Sequence, residues 1–224
     1  MPWVDRLTVL GTILEDGAVP TFSAPDPDAA FSVVAACRDA GSRVVEFTNR
    51  GDFAYSTFVD LARRAAAEAP AVLVGAGTII DAPTAAMFIA AGARFIVGQS
   101  FSEEVARLCN RRRVAYMPGC GTATEIAAAE ELGCEIVKLF PAAAIDGPAF
   151  IRGLHGPSPS SRVMPTNVEA TEEATRRWIS AGSAALGVGP HLLPPALIEA
   201  GDVPAMTARV REYLGWVRAA RAAG

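Results

Sequence analysis

The chain carries 20 Lys and Arg side chains, and Lys138 is the only lysine among them. It stands in the run Cys134-Glu135-Ile136-Val137-Lys138-Leu139-Phe140-Pro141. In an extended strand alternate side chains point to one side, so Ile136, Lys138 and Phe140 share a face and Val137 and Leu139 take the other. An ammonium among such apolar neighbours is driven toward its neutral form. A neutral amine attacks carbonyl carbon, which is what Schiff-base chemistry requires. The competing reading is a strand-end lysine that snorkels back to water. In a chain that otherwise uses arginine, a retained lysine marks a place where guanidinium will not serve.

A second constellation lies in Val44-Val45-Glu46-Phe47-Thr48-Asn49-Arg50. The same period puts Val44, Glu46, Thr48 and Arg50 on one face. Interior carboxylates and hydroxyls are costly unless hydrogen-bonded or used, and a solvated edge strand fits poorly with Val44, Val45 and Phe47 around them. Glu46, Thr48 and Arg50 are therefore candidates for a functional site.

These residues need a scaffold that points strand ends at one place. Short β-rich runs alternate with longer Ala-rich stretches of helical period. The strand candidates are Ala18–Phe22, Arg43–Thr48, Ala71–Val74, Arg94–Val97, Val114–Met117, Glu135–Phe140, Arg162–Pro165 and Ala184–Val188. Gly41, Gly92, Gly133 and Gly182 precede strands where left-handed helix C-caps are expected. Eight similar βα units predict an α/β fold of the closed (β/α)8 TIM-barrel type, in which reacting groups come from the C-terminal strand ends. An extra helix is expected near Val4–Glu15 and another near Pro204–Arg221. No linker or composition break divides residues 1–224, so one domain is expected. A Rossmann fold is the alternative, but Gly75-Ala76-Gly77 lacks the third glycine of the dinucleotide fingerprint.

Composition narrows the partners. With 224 residues, 51% hydrophobic, the chain can bury a full core. A net charge of -4 leaves no basic surplus for a phosphate backbone, so no nucleic-acid partner is expected. No uncharged apolar run reaches the roughly 18 residues of a membrane span, and the charged N-terminus shows no signal peptide. Cys37, Cys109, Cys120 and Cys134 form no CxxC pair and have no neighbouring histidine. They read as free thiols in a reducing compartment, the cytoplasm.

The segments "VVEFTNRGDFA", "LVGAGTI", "MPGCGTATE", "VKLFPA" and "MPTN", in this order, resemble the bacterial 2-keto-3-deoxy-6-phosphogluconate / 4-hydroxy-2-oxoglutarate (KDPG/KHG) aldolase family. The resemblance runs from about Gly17 to Pro194. It implies a homotrimeric (β/α)8 class I aldolase with no metal and no cofactor, acting on a small keto acid. Lys138 matches the Schiff-base lysine and Glu46 the proton-shuttling carboxylate. Arg50, Thr78 and Thr166 match positions that hold the pyruvate carboxylate, with Gly77 lending backbone and Phe140 packing on the pyruvyl part.

The family's phosphate-binding glycines and serine are not matched. Those positions read Asn167-Val168 and Gly189-Pro190, with Val188 where a further glycine is expected. Proline has no N–H to donate, and the two valines are expected to crowd the approach. Strand one, "VPTFS", lacks an arginine many relatives carry, and Gln99 replaces a usual proline. The phosphate site reads as dismantled, with Asn167 and His191 expected to meet a hydroxyl or carboxylate instead. His155 reads as an exposed loop residue and Cys120 as inert.

The expected activity is reversible cleavage of a 2-keto-4-hydroxy acid to pyruvate and an aldehyde. A keto-acid decarboxylase using the same imine is one alternative. A non-catalytic keto-acid-binding protein is another, although a pure binder has no need of a buried amine beside a carboxylate.

Overall fold

A computed structural model describes residues 4–223. The strands are β1 (Ala18–Phe22), β2 (Val44–Thr48), β3 (Leu73–Ile79), β4 (Phe95–Gly98), β5 (Ala115–Met117), β6 (Gly119–Cys120), β7 (Val137–Leu139), β8 (Val163–Pro165) and β9 (Leu186–Val188). The helices are α1 (Arg6–Asp16), α2 (Pro27–Ala40), α3 (Ala54–Glu68), α4 (Ala82–Ala90), α5 (Glu103–Arg112), α6 (Ala123–Glu131), α7 (Gly147–His155), α8 (Glu172–Ser180), α9 (Pro195–Glu199) and α10 (Val203–Ala222). Helix starts are capped as the side chains dictate: Asp26, Asp81, Ser102, Thr122 and Thr171 each accept from an N–H of the first turn. Gly41 and Gly182, with φ of 90° and 99°, take up the left-handed backbone that ends α2 and follows α8.

Every strand pairing is parallel. The ladders form a six-stranded sheet, ordered β5-β4-β3-β2-β1-β9, and a three-stranded sheet, β6-β7-β8, rather than one unbroken ring. Two features sit at the seams. Pro118, with no N–H for a ladder, separates β5 from β6. A single bridge, Thr166 to Gly187, joins the end of β8 to β9. The expected strands are all present, but β3 runs on through Gly75–Ile79, and the short β6 and α9 had no signal of their own.

Side chains bury in two layers. Val19, Val44, Leu73, Phe95, Val97, Ala115, Met117, Ile136, Met164 and Ala185 pack together inside the curl of the strands, and Val9, Leu10 and Ile13 of α1 close that cluster. Burying each such aliphatic chain contributes about 1.5–3 kcal/mol. The opposite strand faces pack against the outer helices in a larger cluster that includes Phe47, Phe58, Phe88 and Val188. The Arg221 guanidinium, near the end of α10, donates to the carbonyls of Leu14 and Ala184 at 2.6 Å each. The N-terminal and C-terminal helices are thereby fastened at the end of the strands that α1 closes.

Candidate active site

One layer above the inner apolar cluster the same strand faces turn polar. Register places Thr21 beside Glu46, Glu46 beside Gly75, and Thr48 beside Gly77. On the other side Lys138 lies between Gly119 and Met164. The glycines make space: a β-carbon on Gly75 would overlap the Phe95 ring, and one on Gly77 would overlap Oε1 of Glu46. A cavity of about 360 Å³ opens over this layer, lined by Glu46, Arg50, Thr78, Lys138, Phe140, Thr166 and Asn167. The sequence segments that carry these residues are far apart, and the parallel strand ends bring them together.

Lys138 is held by its backbone N–H on the Pro118 carbonyl at 2.9 Å, and the residue is only 8% exposed. Burial pushes its pKa down and Arg50 adds to this, while Glu46 opposes it. Its Nζ lies 4.9 Å from the centroid of the Phe140 ring. Glu46 is 2% exposed. Burial pushes its pKa up, and Lys138 and Arg50 pull it back. Oε2 of Glu46 is buried without a hydrogen-bond partner, and no contact within 4.0 Å pairs the carboxylate with Lys138. The amine and the carboxylate thus face one cavity without forming a close ion pair.

Thr166 is buried with its hydroxyl unpartnered, while its methyl group packs where a β-carbon on Gly187 would go. Thr78 has a φ of 60° at the point where the β3–β4 register shifts. That backbone is unfavourable for a β-branched residue, costing about 1–3 kcal/mol, and it accompanies a hydroxyl on the cavity wall. Asn167, at φ 59°, tolerates the same conformation more readily. Arg50 is exposed at the rim and makes no ion pair among the described residues, leaving its fork of donors open to a carboxylate.

Three expectations about the distal side change. His191 is exposed and outside the cavity lining, and its carbonyl accepts from the Arg209 guanidinium at 2.8 Å. Val168 and Val188 point into the outer apolar cluster and do not crowd the cavity. Pro190, by contrast, does line it. Sequence reasoning missed Thr21, Phe22, Ser23, Leu193, Pro195 and Ile198, which complete the wall. For Thr21 a signal existed, since it follows Val19 by two along β1 and Val19 faces the inner cluster. His155 is half-buried rather than exposed, with Nε2 3.1 Å from the Ser161 carbonyl.

Among the described residues, no cluster of three or more His, Cys, Asp or Glu side chains could hold a metal ion. None of their helices is long and apolar enough to cross a membrane.

Residues 12–209 match the family described as KDPG and KHG aldolase. The 2-dehydro-3-deoxy-phosphogluconate aldolase of Pseudomonas aeruginosa is 33% identical over 152 residues, covering 68% of this chain and 69% of that protein. The KHG/KDPG aldolase of Escherichia coli is 32% identical over 173 residues, covering 77% and 78%. The crystal structure of KDPG aldolase from Legionella pneumophila, with pyruvate captured at low pH as a covalent carbinolamine intermediate, is similar with a TM-score of 0.83. It is 22% identical, covers 91% of this chain and 97% of that one, and bears on the fold.

Proposed function

The chain belongs to the KDPG and KHG aldolase family, and from that premise we propose how its own residues divide the chemistry. The family reaction is that of a pyruvate-dependent, Schiff-base lyase, which cleaves a 2-keto-4-hydroxy acid reversibly to pyruvate and an aldehyde. The observation that carries the assignment is the buried Lys138 amine facing the same cavity as the buried Glu46 carboxylate, whose Oε2 has no hydrogen-bond partner.

Neutral Lys138 attacks C2 of the keto acid, and the carbinolamine, its hydroxyl protonated by the Glu46 carboxyl group, loses water to give an iminium. Glu46 takes the C4 hydroxyl proton as the C3–C4 bond breaks. That bond's electron pair flows into the iminium, leaving an enamine and a free aldehyde. Glu46 then returns its proton to C3, and water hydrolyses the pyruvyl iminium to release pyruvate and the neutral amine, the freed proton going back to Glu46. One carboxylate near the imine suffices for both proton transfers. Arg50, Thr78 and Thr166 hold the keto-acid carboxylate, Gly77 makes room for Glu46, and Phe140 flanks the pyruvyl carbons.

The architecture is read as a (β/α)8 barrel. Support comes from the Thr166–Gly187 bridge, from β5 and β6 meeting at Pro118, and from an inner cluster fed by every long strand. We read the assembly as a homotrimer, with Phe53 at 83% exposure and exposed Ile80 and Met87 as apolar surface available for contact. Four buried, unpaired cysteines fit a reducing cytoplasm.

The test is to incubate the protein with pyruvate and borohydride and map the adduct by mass spectrometry. A pyruvyl adduct on the peptide containing Lys138, together with pyruvate release from a 2-keto-4-hydroxy acid, is the expected result. An unmodified Lys138 would falsify the assignment. Light scattering in solution checks the trimer.

A further inference from the structure

The cavity's remaining wall is built by the turns after β1, β8 and β9. Its charged side chains are Glu46, Arg50 and Lys138 alone, so Arg50 is the one cation free to bind an anion. The reading above commits that guanidinium to the keto-acid carboxylate. A second anionic group on the substrate would have no cation to meet, and the adjoining groove adds Glu199, which repels it.

Several backbone donors there are missing or already spent. Pro190 and Pro195 have none. The N–H groups of Leu192 and Leu193 are both turned back onto the Gly189 carbonyl, at 2.9 and 3.0 Å, and that of Val168 is directed at the Gly187 carbonyl. A tight phosphate cradle needs several such donors aimed outward.

What the wall does offer is neutral. Thr21 Oγ1 and Asn167 Oδ1 flank Gly189, within 2.9 and 3.9 Å of where a β-carbon there would lie. Neither side chain makes a hydrogen bond among the described residues, and both line the cavity. Beside them stand the buried aliphatic chains of Leu193 and Ile198.

We propose that this wall selects a short, uncharged 2-hydroxyaldehyde as the aldehyde half. Thr21 and Asn167 hold its hydroxyl, and Leu193 and Ile198 contact its carbon chain. The proposal rests on the aldolase assignment. It makes Thr21 a specificity-determining residue. Absence of a charge partner discriminates against both a phosphate and a second carboxylate.

The test runs the reaction toward condensation, with pyruvate and one of five acceptors: lactaldehyde, glyceraldehyde, propanal, glyceraldehyde 3-phosphate or glyoxylate. The two neutral hydroxyaldehydes are expected to exceed the phosphorylated and carboxylated acceptors in kcat/KM by about tenfold or more. Thr21→Val and Asn167→Ala are each expected to lower the ratio of lactaldehyde to propanal about tenfold. A ratio within one protein is insensitive to partial misfolding.

A preference of similar size for glyceraldehyde 3-phosphate or glyoxylate overturns the proposal, as does an unchanged ratio in both variants. Exchange of pyruvate methyl protons with deuterated water needs the imine and the proton carrier but no aldehyde, and it separates the two levels of failure. Exchange with the wrong acceptor order sinks the selectivity alone. Absent exchange in the unmodified protein sinks the aldolase assignment and this proposal with it.

Discussion

Gly77 and Glu46 occupy a single niche: the space a β-carbon on residue 77 would need is already filled by the Glu46 carboxylate. Gly77→Ala is therefore expected to displace the proposed proton carrier while leaving Lys138 in place. A shift of about 1 Å in a reacting group costs on the order of 10²-fold in rate. Steady-state kcat should fall by that order with the circular dichroism spectrum unchanged. Full kcat in a folded Gly77→Ala protein would remove Glu46 from the mechanism.

The depressed pKa of Lys138, caused chiefly by burial, sets the pH dependence of trapping. Only the unprotonated amine attacks, so the borohydride-trapping rate should rise with pH and level off with a midpoint below the ordinary lysine value of 10.5. A midpoint at or above that value would mean that the amine is effectively solvated.

For Glu46 the direction is opposite, because burial raises its pKa above 4.5. The folded state then binds the proton more tightly than the unfolded state. Glu46 supports the fold below pH 4.5, and this contribution is lost as pH rises through its higher folded pKa. Glu46→Gln, which does not titrate, should gain in Tm relative to the parent as pH rises above 4.5. Over the same range its kcat should be lower by roughly 10²–10⁴. Parallel Tm curves for the two proteins would contradict the buried-carboxylate assignment.

Chelation should be silent. In the proposed mechanism the iminium on Lys138 is itself the electron sink for the C3–C4 break, so dialysis against EDTA is expected to leave kcat unchanged. Loss of activity that zinc or magnesium restores would assign the electron sink to a metal instead.

Ile13, fully buried where α1 closes the strand curl, lies at the end opposite the cavity. Ile13→Ala should lower the unfolding free energy by about 2–5 kcal/mol in urea titration. KM for the keto acid should hardly move at a temperature where the variant is folded. A raised KM without loss of stability would couple that helix to the site.

Much of this was legible because strand parity is a strict rule. Ile136 and Lys138, or Val44 and Glu46, had to share a face whatever the fold, and in the structure the first of each pair joins the inner apolar cluster while the second meets the cavity. Parity applied to β9 would also have turned Val188 outward, since Ala185 and Gly187 face in. What escaped was set by long-range packing. Gly75–Gly77 reads as a loop by propensity, yet it is strand because Phe95 and Glu46 need the room. The five-residue α9 is too short to show a period, and it is the segment that brings Ile198 to the cavity.

The burial of Lys138 has a consequence for the outer surface. Each of the other 19 Lys and Arg positions is an arginine, so no exposed side chain among the described residues presents an ε-amine to solvent. Guanidinium groups stay protonated at neutral pH and are poor partners for simple aldehydes. An enzyme that releases aldehydes one at a time thus shows them no lysine on its exterior, and the side-chain amine able to capture them as an imine is the one enclosed at the site of release.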